Sequence, residues 1–227
     1  MSPKSPPRSP PPAAPRIVLG VTGASGTVYA RRLLDALLRA GTEVHLIVSE
    51  AGARVAGHEL GIRTDWTDPE AAARAILGRA ARGVIAWRQD QIDAPIASGS
   101  VPVDAMVVAP CSMSTLGAIA NGVALNLVHR AADVALKERR PLILVARETP
   151  LSLVHIENLR RAAAAGATVL PAMPSFYGRP KTVEDLVDTV VARVLDRLGV
   201  RHRVGKRYEN KSRSECGTRH EHRGTPT

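Results

Sequence analysis

At 227 residues the chain can hold one domain with a full core, and with 44% apolar but only 3% aromatic residues that core must be Ala, Val, Leu and Ile. No apolar run nears the roughly 20 residues of a membrane span, no secretory signal pattern opens the chain, and the two cysteines, Cys111 and Cys216, give no disulfide framework; the expected compartment is the cytoplasm. Of the net charge of +10, residues 1–16 carry +3 and residues 200–227 carry +5, leaving +2 for the body, and with few aromatics in the basic end no specific nucleic-acid role is expected.

Residues 1–15 are a proline-rich stretch that reads as an extended, disordered arm. Folding is expected to begin at Arg16. Ile17 to Val21 is a short apolar strand, followed at once by Thr22–Gly26 (TGASG) and a helix over 27–40 with leucines at helical spacing. Strand, glycine turn and helix form a phosphate cradle: glycine lets the backbone approach an anion, and the helix start aims N–H groups at it. The hydroxyls of Thr22 and Ser25 are candidate further donors, although glycine turns also join strands to helices for geometric reasons alone.

Val44 to Val48 is the second strand and ends on Ser49. A dinucleotide-binding unit favours an acid at that strand end and a GxGxxG turn; Ser49 and GASG lean toward a mononucleotide instead. Residues 50–80 read as helix, turn and helix, with Asp68-Pro69 as a helix start and Glu59 on a solvated face by default. Val84 to Trp87 is a third strand. The segment 94–100 (APIASGS) is a turn-prone loop.

Asp104 to Ala109 is a further strand, and Ser112, Ser114 and Thr115 stand where it passes into a helix. They form a second candidate cradle at the same sheet edge. Cys111 has no paired histidine and reads as a small core residue. Arg130 and Lys137 lie on the next helix, and Leu142 to Ala146 is an unbroken apolar run suited to a strand buried on both faces. Arg147 and Glu148 follow it, at the carboxyl end of a strand, where open parallel sheets place their ligands; a plain surface ion pair is the alternative. A helix over 152–165 capped by Ser152, a short strand at 168–170, a proline-bounded loop at 171–181 carrying Phe176 and Tyr177, and a helix capped by Thr182 complete the fold. Gly199 is its expected end, and 200–227 a mobile basic tail. No metal-ligand spacing occurs.

With TGASG, Ser49, APIASGS, PCSMST, the block from Arg130 to Pro150, FYGRP and VEDLVDTVVARVL in one order, residues 16–199 resemble the flavin prenyltransferases of the UbiX family. The resemblance implies a single-domain α/β fold, a doubly wound parallel sheet of Rossmann-like, flavodoxin-like type, assembled as a homo-dodecamer. It implies metal-free transfer of a dimethylallyl group from dimethylallyl monophosphate to reduced FMN, the product serving a UbiD-type decarboxylase. By the same resemblance Gly23, Ala24, Ser25, Ser49, Ser112, Met113, Ser114, Thr115 and Arg147 contact FMN, and Tyr177 and Arg193 bind the prenyl phosphate. Arg130, Lys137 and Glu148 are charged groups around that phosphate, Ser25 relays hydrogen bonds at the flavin edge, and Glu59 is an active-site acid from a neighbouring subunit. Ala146, Leu125 and Tyr208 depart from the family pattern. Two alternatives share the fold: an FMN-dependent cysteine-type decarboxylase and a non-catalytic FMN-binding partner protein.

Overall fold

Six parallel strands form the centre of the molecule in the order β3-β2-β1-β4-β5-β6, in a computed structural model that describes residues 14–205. They are β1 (Arg16–Val21), β2 (Glu43–Val48), β3 (Val84–Trp87), β4 (Ala105–Cys111), β5 (Leu142–Ala146) and β6 (Thr168–Val169). The helices are α1 (Thr27–Arg39), α2 (Glu50–Leu60), α3 (Pro69–Leu77), α4 (Met113–Ala120), α5 (Leu127–Lys137), α6 (Leu153–Ala164) and α7 (Val183–Arg197). The strands can run parallel because long crossovers join them: every strand but β3 is followed by an α-helix, β3 reaching β4 through a loop with one 3-10 turn at Pro95–Ala97, and the helices cover both faces.

Side-chain alternation along the strands builds two cores. Ile17, Leu19, Val21, Val107, Ile143 and Val145 point to the face covered by α1, α3 and α7. Val18, Met106, Val108, Leu142 and Leu144 point to the face covered by α4, α5 and α6. The small palette of the sequence thus becomes two layers of Leu, Val, Ile and Ala on either side of one sheet. Each large aliphatic residue so buried stabilises the fold by roughly 1.5–3 kcal/mol before entropic costs.

Two boundaries differ from those expected. β4 runs on through Pro110, which follows a cis peptide bond, to Cys111, because the pairing with β5 shifts register between Val108 and Cys111. At the other end the fold does not stop at Gly199. Val200 and Val204 pack on the first core, and His202, its side chain turned inward, places Nε2 3.2 Å from Asp196 Oδ1. The described part of the expected mobile tail, 200–205, is therefore laid back against α7. Most of the expected N-terminal arm, together with Tyr208 and Cys216, lies outside the described residues. Among the described residues no helix is long and apolar enough to cross a membrane.

The chain leaves β1 toward β2 and β3, then returns to lay β4 on the other side of β1. Strand order reverses between β1 and β4, and their carboxyl ends open a crevice.

Candidate active site

Four connections leave the sheet at this crevice. The turn after β1 is held against the end of β4 by one side chain. The Thr22 hydroxyl donates to the Pro110 carbonyl at 2.8 Å and accepts from the Ser112 amide at 2.9 Å, and the Thr22 amide also donates to Pro110 O at 3.2 Å. Buried and engaged twice, Thr22 is no free donor to an anion, as its position in TGASG suggested; it fastens the two cradles together. Gly23 presses on the first turn of α2, where an added Cβ would fall 2.6 Å from Ala51 Cβ. Gly26 has φ 120°, a value open to glycine but costly for L side chains.

α2 stays beside this turn, and its last residues still lie at the carboxyl edge of the sheet. Glu59 there accepts from the amides of Gly26 at 2.9 Å and Thr27 at 2.7 Å. It caps α1, whose own N-cap residue, Gly26, has no side chain to do so. Partial burial tends to raise its carboxyl pKa, but hydrogen bonds from Ser25, Thr27 and Gly26 outweigh that and hold it below the usual carboxylate range. Glu59 is exposed, as expected of a solvated face, yet its carboxylate is bound to the 26–27 amides of its own chain, because α2 lies along the 21–27 turn.

Ser49 and Ser112 are the N-caps of α2 and α4. Ser49 Oγ accepts from Gly52 N at 3.0 Å and Ser112 Oγ from Thr115 N at 3.3 Å. The Ser49 hydroxyl keeps its proton to donate, and exposed Ser114 stands 3.1 Å from Ser112 through their Oγ atoms. The side chains of Ala24, Met113 and Thr115 are buried, so toward the crevice these residues offer backbone. After β5 the Arg147 amide donates to Cys111 O at 3.2 Å. The Arg147 guanidinium is exposed and makes no ion pair among the described residues, while Glu148 accepts from the Thr149 amide at 2.9 Å. Arg147 also acts on Tyr29: burial pushes that phenol up, against the pull of the guanidinium. Nothing in the sequence pointed to Tyr29 as a neighbour of the site. Cys111 is buried, which pushes its thiol up to about 12 and keeps it from acting as a nucleophile.

Two other groups lie apart. Tyr177 and Arg193 line a groove of about 1040 Å³ between the 171–181 loop, α7 and residues 202–205. Its acids have local partners: Asp188 pairs with Arg32 at 2.5 Å, Asp185 accepts from the Lys181 amide at 2.8 Å, and Asp196 faces His202. Neither Arg147 nor the 22–26 turn lines this groove. Arg130 lies near the start of α5 and Lys137 is its last residue, shortly before β5 begins. Arg130 pairs with Asp133 at 2.8 Å and Lys137 with Glu138 at 2.8 Å. Lys137 is thus separated from Glu148 by the length of β5, roughly 16 Å at 3.3 Å per residue. One chain does not bring the expected cations to one place.

The Flavoprotein family model matches residues 8–195. The flavin prenyltransferase UbiX of Pseudomonas aeruginosa is 48% identical over 188 residues, 82% of this chain and 90% of that protein. The chain belongs to the UbiX family of flavin prenyltransferases. Two solved structures show the likeness in three dimensions. AnUbiX (PadA1), in complex with FMN and dimethylallyl pyrophosphate, is 38% identical with a TM-score of 0.76, covering 87% of this chain and 99% of its own. A dodecameric FMN-dependent UbiX-like decarboxylase from Escherichia coli O157:H7 is 39% identical with a TM-score of 0.74, covering 86% of this chain and all of its own.

Proposed function

We propose that this protein joins the dimethylallyl group of dimethylallyl monophosphate to reduced FMN in the crevice between β1 and β4, working in the cytosol as a homo-dodecamer and supplying a UbiD-type decarboxylase. The observation that carries the reading is the convergence of the 23–26 turn, Glu59, the 112–115 cradle and the Arg147-Glu148 pair on one strand edge, in a chain of this family. The donor set fits FMN. The starts of α2 and α4 and an unpaired guanidinium suit a phosphate and electron-rich carbonyls, while Gly23 and the small Ala24 leave room for a flat ring. Reduced FMN, when bound, supplies the electron-rich ring that accepts the allyl group.

The protein's part is to hold the donor and draw off its phosphate. As the allylic C–O bond breaks, the phosphate leaves with the electron pair, and preorganised cations stabilise that charge most where water is excluded. Arg193, with Tyr177 beside it in the groove, grips the phosphate from one chain; Arg130 and Lys137 approach it from a neighbouring copy. Glu148, at the end of β5, hands the departing phosphate a proton. Ser25 and Glu59 form a hydroxyl–carboxylate pair at the flavin edge through which a proton can pass. Cations alone serve a monophosphate donor; the pyrophosphate held by the AnUbiX structure makes the choice of donor a direct comparison.

The test incubates the purified protein anaerobically with reduced FMN and either dimethylallyl monophosphate or the diphosphate. A flavin heavier by one five-carbon unit, formed faster from the monophosphate, is the expected result. Flavin that binds without gaining mass would leave only a carrier role, and carbon dioxide from a cysteinyl substrate would point to the decarboxylase chemistry of the same fold. Glu148→Gln should bind FMN normally and slow the transfer about 10²- to 10⁴-fold.

A further inference from the structure

The C-terminal end of α5 does more than carry Lys137. Glu138 is the C-cap residue, and Arg139 adopts φ 55°, the left-handed conformation that ends helices and usually falls to glycine. The Arg139 amide donates to Leu136 O at 3.0 Å and the Arg140 amide to Ala135 O at 2.8 Å, the paired bonds of a Schellman turn. This reversal swings Arg140 back alongside its own helix. Arg140 lines a small pocket together with Val18, Ile96 and Met106, and its Nη2 donates to the Gly99 carbonyl at 2.7 Å. From two turns earlier on the same helix, Arg130 Nε donates to the Ala97 carbonyl at 3.2 Å. The two arginines thus grip the 97–99 backbone at both ends and hold it down on α5.

Between these grips the loop meets Lys137 directly. A Cβ added to Gly99 would overlap the Glu138 carboxylate and come within 2.9 Å of Lys137 Nζ. The Ser98 and Ser100 hydroxyls, 2.8 Å apart and exposed, flank the same point. A larger residue there would push the ends of the Glu138 and Lys137 side chains aside. The location of Lys137 therefore depends on where the loop lies, and the loop is held by Arg140.

We propose that Arg140 is a positioning residue for the donor phosphate: by clamping the Gly99 carbonyl it fixes the 97–100 loop against Lys137 and sets where that ammonium group is presented. This rests on the reading of Lys137 as a phosphate-binding cation. Arg140 itself is occupied by the loop and need not touch the substrate. The Gly99 carbonyl can accept from a lysine as well as from an arginine, so Arg140→Lys should rescue part of the effect. Arg140→Met keeps the aliphatic stem under the loop and removes only the donor.

The test measures binding of dimethylallyl monophosphate to the FMN-loaded full-length protein by calorimetry, and in parallel FMN affinity by flavin fluorescence. Arg140→Met should weaken donor binding about tenfold or more with FMN affinity unchanged within about twofold, and Arg140→Lys should recover most of the loss. Gly99→Ala, which leaves the clamp but crowds the ammonium group, should also weaken donor binding and spare FMN; it decides the matter if Arg140→Met fails to fold. Wild-type donor affinity in Arg140→Met, or equal losses of donor and FMN affinity, overturns the proposal. If the wild-type protein binds the donor but forms no heavier flavin, the proposed reaction falls while the donor-affinity comparison still judges the clamp. If it binds no donor, both fall.

Discussion

At the scale of single residues, Thr22 shows how a side chain beside a site can be essential without facing the ligand. Its hydroxyl is buried and bonded as donor to Pro110 and as acceptor to Ser112, which ties together two turns, proposed to hold FMN, that are 88 residues apart in the chain. Thr22→Val keeps the shape, leaves the Ser112 amide without its partner and the Pro110 carbonyl with only the Thr22 amide, a loss of about 1–3 kcal/mol. FMN affinity, read by fluorescence titration, should fall about tenfold in Thr22→Val and stay near wild type in Thr22→Ser; equal affinity in Val and Ser variants would show that the two turns hold their spacing without this bond. The turn itself was legible in the sequence, as glycines directly after an apolar strand, while its use was not, because glycine turns also join strands to helices for geometric reasons alone. The direction of the Thr22 hydroxyl was not legible either, since it depends on β4 lying next to β1. Glu59 gives the same lesson. Its helix was expected, but its partner, the start of α1, is fixed only by the path α2 takes across the strand ends.

At the scale of elements, the strands were the most legible parts. Leu142 to Ala146 must be buried on both faces, and only a parallel sheet between helix layers provides that. Boundaries failed where pairing overrode local rules, as at Pro110, where β4 continues past a residue that normally ends a strand. The helix starts follow the side-chain caps Ser49, Asp68, Ser112, Asn126, Ser152 and Thr182; α1 is the exception, capped from another element by Glu59. That borrowed cap has a pH signature. The folded-state pKa of Glu59 is depressed, so its contribution is full above the ordinary value of 4.5 and is lost as the pH falls through the depressed value. Glu59→Gln should lower stability by about 1 kcal/mol at neutral pH in urea unfolding at fixed protein concentration, and the gap to wild type should close in acid. A gap that persists below pH ~3 would mean that packing, not charge, links α2 to α1.

At the scale of the whole molecule, the proposed roles of the charged residues require more than one chain for a complete site. Arg147 and Glu148 stand at the carboxyl edge of the sheet, whereas Arg130 and Lys137 lie on a helix that descends toward the opposite edge. The surface also carries exposed Leu153, Val154, Ile156, Met173, Phe176 and Val183, more apolar area than a lone chain of this size gains from showing to water. Motif order in the sequence names all these residues but cannot say which chain each serves, because covalent order carries no information about symmetry. A second copy set against these apolar side chains, with its α5 over the crevice, would bring the two halves together. Subunit exchange tests this. Lys137→Ala and Glu148→Gln variants, each inactive alone, are mixed, partly dissociated and reassembled. If Lys137 serves the neighbour's site, random reassembly leaves about one quarter of the sites with both native residues, and prenylated flavin should form at about that fraction of the wild-type rate. If both residues served one chain's own site, every site would lack one of them, and the mixture would stay as inactive as its components.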